Sequence, residues 1–131
     1  MSDLAGSDPE CPCQSVDAAE AAEGALAAPV IEELRAGSHF DISLRRCRCG
    51  ADWLAVFTEL IDFGGGDDSQ AWTLVPLTVA AASRLRAVRP VTEGDLVACL
   101  GQVRHIMRVW PRGGTLGVSW AEGPLIVLPH D

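Results

Sequence analysis

Two short cysteine pairs, Cys11-Pro12-Cys13 and Cys47-Arg48-Cys49, constrain this chain more than any other feature. Each is a C-x-C chelating turn. Together they can supply the four thiolates of a closed tetrahedral zinc site. For that, the fold must carry the first turn onto the second, across residues 14–46. Gly50 follows the second pair and lets the backbone fold back toward sulfur. Pro12 limits the freedom of the first pair. Zinc bound by four thiolates carries a charge of about −2, and Arg45, Arg46 and Arg48 surround one turn and would offset it. Positive charge nearby also favours the thiolate form. The same arginines equally suit a solvated strand end. We therefore read Cys11, Cys13, Cys47 and Cys49 as metal ligands and Zn²⁺ as the ion. C-x-C is tighter than the usual zinc knuckle, so a soft metal such as Cu(I) and redox-active thiols are the alternatives. Cys99 stands apart, among Leu96, Val97 and Leu100, and reads as a small core residue.

Charge limits the possible partners. The chain has 18 acidic and 10 basic residues in 131, a net charge of −8. The acids concentrate in residues 1–70, and every basic residue is arginine. Nucleic-acid binding needs a basic face to neutralise phosphate, so this balance argues against it. An acidic surface would attract a basic protein, and it also simply keeps a small protein in solution. No segment is long and apolar enough to span a membrane. Residues 1–10 lack the basic start and apolar run of a secretory signal, so a cytoplasmic location is expected.

The hydrophobic pattern predicts an α+β fold: a mostly antiparallel sheet, an N-terminal helix and two short helices on one face, with a zinc knuckle at a β-hairpin. Residues 1–10 read as a flexible acidic tail and 11–131 as a single zinc-binding domain. Ser15 is placed to cap a helix over residues 16–28. Pro29 interrupts or restarts that helix. Leu26, Val30 and Leu34 continue its apolar stripe toward Gly37. Strands are expected at 39–45, 52–63, 72–77, 103–110, 115–120 and 125–128, with Pro76 marking an end or an edge. Helices are expected at 78–87 and from Thr92, where Thr92 and Asp95 have capping-box spacing.

Residues 11–77 resemble a group of small, mostly uncharacterised bacterial zinc-binding proteins. The resemblance rests on Cys11 and Cys13, Cys47-Arg48-Cys49-Gly50, Trp53 and Phe57. It continues through Glu59-Leu60-Ile61-Asp62-Phe63, Gly66-Asp67 and Trp72 through Pro76. The group's knuckle is C-x-x-C-G, one residue longer than the turn at Cys47. The resemblance implies a zinc-bearing module and no particular activity.

Other chemistry is sparse. Glu59, Asp62, Asp67 and Asp68 could hold Mg²⁺ or move protons, but hydrogen-bonded or solvated carboxylates explain them better. His39 lies close enough in sequence to Cys47 to replace a cysteine ligand; His105 and His130 are scattered. No nucleophile motif or phosphate loop is present. Trp53 and Trp72 are expected to face each other in the core. Trp110 and Trp120 flank the turn at residues 111–114, and an exposed tryptophan beside arginine is a common binding hot spot. The reading is a non-enzymatic zinc protein with a protein partner, of the immunity or inhibitor type against a basic toxin. The alternative is a thiol-redox enzyme or soft-metal carrier.

Overall fold

The computed structural model describes residues 11–61, 68–88, 91–111 and 113–130. Six strands follow in chain order across one antiparallel sheet: β1 (Val30–Arg35), β2 (Phe40–Arg46), β3 (Asp52–Leu60), β4 (Ser69–Leu77), β5 (His105–Trp110) and β6 (Gly117–Ala121). The helices are α1 (Ala18–Ala27), α2 (Val79–Ala87) and α3 (Glu93–Leu100). No helix of the described residues is long and apolar enough to cross a membrane.

β3 runs apolar on both sides, which suits a central strand covered on both faces. Its register with β2 places Leu54 opposite Leu44 and Val56 opposite Ile42. With β4, Leu54 meets Val75. These residues share one face and form a core with Leu85 of α2 and Leu96 of α3. The alternate residues, Trp53 and Ala55, face the other way with Leu74 and Ile106, beneath α1. The helices therefore cover both faces, not one. The strand alternation carried this information, since a fully apolar strand needs two covers.

α1 buries Ala18, Ala21, Ala22 and Ala25, the one-sided spacing of a helix lying flat on a sheet. It stops at Ala27. The residue before Pro29 cannot stay helical, and Ala28 is extended at ψ 140°. Val30 to Arg35, expected to continue a helical stripe, is instead edge strand β1. Its pairing with β2 has two register shifts. A spacing of four is also even, so Val30 and Leu34 fit a strand as well as a helix. Leu34 alone of β1 reaches the core.

Both expected short helices form. Thr92 and Asp95 make the reciprocal capping box, and Thr78 caps α2 by accepting from the Ala81 N–H. Pro76 sits in β4 beyond the Gln70–Leu74 span paired to β5, where its missing N–H costs no ladder bond. Residues 125–128, expected as a strand, join no ladder. Their backbone bonds go elsewhere: Leu125 N–H donates to the Gly101 carbonyl, and Thr73 Oγ donates to the Ile126 carbonyl at 2.9 Å. Leu125 and Val127 cover the leucine-rich core instead.

Candidate metal centre

β2 and β3 are joined by a tight hairpin turn at Cys47-Arg48-Cys49-Gly50. The Gly50 N–H donates to the Cys47 carbonyl at 2.8 Å, and the Cys47 N–H donates to the Ala51 carbonyl at 2.9 Å. Gly50 takes a φ of 94°, a left-handed value that favours glycine and returns the chain to the ladder. Below the turn, Arg46 reaches across to buried Asp52 with bonds of 2.7 and 3.2 Å.

The first turn is built differently. Pro12–Gln14 is a single 3-10 turn, closed by the Gln14 N–H donating to the Cys11 carbonyl at 2.9 Å. It leads into α1, whose N-cap is Asp17 and not Ser15. The Asp17 carboxylate accepts from the Glu20 N–H at 3.0 Å, while Ser15 Oγ accepts from Asp17. The turn then lies back against the helix. A Cβ placed on Gly24 would stand 2.5 Å from the Cys13 nitrogen, so only glycine admits the first turn here.

These two supports bring the sulfurs of Cys11, Cys13, Cys47 and Cys49 within 4.8 Å of one another. Cys11 and Cys47 are 3.3 Å apart, Cys13 and Cys49 3.5 Å, and Cys11 and Cys13 3.6 Å. A tetrahedral ion with Zn–S bonds of 2.3 Å would hold sulfurs about 3.8 Å apart, so the cluster already has ion size. The four cysteines are arranged to hold a metal ion. Cys13 and Cys47 are buried; Cys11 and Cys49 are partly exposed.

In each turn the backbone N–H of the second cysteine points at the sulfur of the first: Cys13 toward Cys11, Cys49 toward Cys47. That is how a C-x-C turn stabilises a thiolate, by aiming a fixed donor at it. The titration pattern reflects the crowding. Burial opposes ionisation of Cys47, yet the Cys49 N–H and the surrounding thiols bring it down to about 7. Burial, then the neighbouring sulfurs, push Cys13 far above its ordinary value. At Cys11 the Cys13 N–H favours the thiolate, but burial and the Cys47 and Cys49 sulfurs outweigh it and raise the thiol. The cluster thus gives up one proton easily and resists losing more without a cation to take the charge.

The arginines divide the task. Arg45 donates to the Leu26 carbonyl at 2.7 Å, at the last turn of α1, and its guanidinium lies 5.3 Å from the Trp72 ring centre. Arg46 is committed to Asp52. Arg48 is exposed beside the cluster, so of the expected arginine set it is the one left to offset thiolate charge.

The remaining candidates lie elsewhere. His39 sits at the far end of β2 from the cysteines and donates to Glu59 at 3.1 Å, so it cannot replace a ligand. Glu59 also accepts from Gln70 at 2.6 Å, the hydrogen-bonded role expected of it. Asp62 and Asp67 lie outside the described residues, and Asp68 has a partner. His105 is buried with Nδ1–H on the Val103 carbonyl, and His130 stacks on Phe40. Trp53 pairs with Pro76, while Trp72 meets Phe57 at 5.0 Å, so the two tryptophans do not face each other. Trp110 is 52% exposed; Trp120 is partly covered, donating to the Val16 carbonyl with Arg104 stacked 3.6 Å above its ring. The sequence reading missed Gly24, and it placed Asp17 in the first turn of the helix and not at its cap. A glycine inside an alanine-rich helix was the available signal for the first, since it weakens a helix unless something packs there. Comparison with known proteins finds no matching family model, no matching curated protein and no matching solved structure, so the resemblance to bacterial zinc-binding proteins rests on the quoted residues alone.

Proposed function

We propose that this chain is a non-enzymatic zinc protein: Cys11, Cys13, Cys47 and Cys49 hold one structural Zn²⁺, and the protein acts by binding another protein. The observation that carries the first half is the convergence of four sulfurs from two turns, each with a backbone N–H aimed at its leading sulfur. An all-thiolate set selects zinc or a soft ion over Mg²⁺ or Ca²⁺. The second half is supported by the net charge of −8 and by exposed Trp110 and Leu116 near the β5–β6 turn. Such a surface fits a basic protein partner, in the manner of an immunity or inhibitor protein. The cytoplasm suits reduced thiols.

The test is native mass spectrometry with elemental analysis on protein purified without a metal-affinity tag. One zinc per chain, lost in Cys47→Ser, is expected. Folded, metal-free protein whose thiols alkylate at once would overturn the reading. One observation favours a second reading, a soft-metal carrier or thiol-redox protein: Cys11 and Cys47 line an open cavity, so the site is approachable from one side. Copper in place of zinc, or reversible cycling of the thiols by oxidant, would select it.

A further inference from the structure

A cavity of about 330 Å³ opens between the end of α1 and the hairpin turn, lined by Cys11, Gly24, Ala27, Ala28, Cys47 and Arg48. It reaches one edge of the sulfur cluster only. Cys13 lines a separate, smaller recess of about 60 Å³. Cys11 lies 3.3 Å from Cys47, and Cys13 lies 3.5 Å from Cys49. Closing either contact to a disulfide of about 2.05 Å needs an approach of roughly 1.3–1.5 Å. Both contacts join residues 36 positions apart, one from each turn.

We propose that the cysteine cluster is an oxidation site for small peroxides, entered through this cavity, with a fixed order and pairing: Cys11–Cys47 first, then Cys13–Cys49. This rests on the metal reading only for its consequence, the release of the ion. The Cys47 thiolate attacks an oxygen of hydrogen peroxide; the S–O bond forms, the O–O bond breaks, and the departing hydroxide takes the Cys11 thiol proton to become water. Cys47 is now a sulfenic acid. The Cys11 thiolate attacks its sulfur, the S–S bond forms, the S–O bond breaks, and the second hydroxide takes a proton from solvent and leaves as water. One peroxide is reduced to two waters, and the two sulfurs give up two electrons. The site has then lost two of four ligands and no longer retains the ion. A second peroxide repeats the chemistry at Cys13 and Cys49.

Pairing across the turns also has a structural consequence. A disulfide inside either C-x-C turn leaves the two turns unconnected, whereas each cross-turn bond keeps the first turn tied to the hairpin after the ion has gone. Oxidation therefore exchanges one cross-link for another, and the fold around α1 persists.

The experiment is titration of the full chain with hydrogen peroxide, before and after stripping the metal with a chelator. Disulfides are mapped by peptide mass spectrometry, and metal release is followed with a chromogenic chelator. The expected result is a Cys11–Cys47 linkage at the first equivalent, with metal leaving in step, and Cys13–Cys49 at the second. Ala27→Phe, at an exposed position that lines the cavity, should slow the first step about tenfold with metal content unchanged, because susceptibility follows access. A first linkage within a turn, a diagonal pairing, or an Ala27→Phe rate equal to the parent overturns the proposal. Protein that carries no metal but forms Cys11–Cys47 first sinks the zinc reading and supports the oxidation site.

Discussion

On one face of the sheet, Leu44, Leu54, Val56 and Val75 meet Leu85 and Leu96 of the two short helices. On the other face, four alanines of α1 lie over Trp53, Ala55, Leu74 and Ile106, beside the cysteines. The first face needs nothing but burial, since each leucine taken from water stabilises by roughly 1.5–3 kcal/mol. An alanine methyl contributes about 0.8 kcal/mol by the same measure. A helix of alanines is therefore weakly held by its own contacts, and a metal cross-link at its start would offset the deficit. The lesson is that the four-cysteine cluster stands beside the helix that contributes the least apolar burial of its own.

The largest test of that contrast is Cys47→Ser. Structural zinc is worth an apparent ~10–16 kcal/mol in small modules, so losing even part of it should unfasten α1. Amide exchange should become fast over residues 18–27 while β3 and β4 stay protected. Uniform loss of protection over both faces would break the comparison. Leu54→Ala probes the opposite face and should cost about 2–5 kcal/mol in denaturant unfolding, with one metal still bound per chain. Gly24→Ala should cost about 1–3 kcal/mol by overpacking against the Cys13 backbone, and it should weaken metal affinity, which Leu54→Ala should not. Competition with a chelator of known affinity measures that.

The smallest effect is a proton count. Cys47, brought down to about 7, is mostly thiolate at pH 8 and mostly thiol at pH 6. Metal binding removes that proton only where it is present. Release on loading should therefore rise by about one proton per chain between pH 8 and pH 6, and affinity should fall in that direction. Calorimetry in buffers of different ionisation enthalpy reads it. A count that stays flat would mean that Cys47 does not titrate in this range.

The convergence of the four cysteines was legible because ligand chemistry leaves few uses for two C-x-C turns at a distance. The cap at Thr92 was legible for a similar reason, a local rule with no tertiary competitor. What failed were features decided by packing. β1 was hidden because a spacing of four suits both a helix and a strand, and the restriction on Ala28 from Pro29 had to be weighed above it. The second helix-bearing face was missed although β3 declared it by being apolar on both sides. Arg45 and Arg46 looked like counter-ions to the thiolates. Their partners, the Leu26 carbonyl and Asp52, emerge only once α1 and the hairpin are placed.

The bond from the Trp120 indole to the Val16 carbonyl joins positions 104 apart in sequence. At about 5–20 residues per second of synthesis, the strand that completes the floor under α1 arrives some 5–20 s after α1 itself. Cys47 and Cys49 arrive much sooner. A growing chain thus owns all four thiols while β5 and β6, on which α1 will rest, are still unmade. Capture of an ion at that stage would anchor the earliest segment to the hairpin and hold it ready for the last.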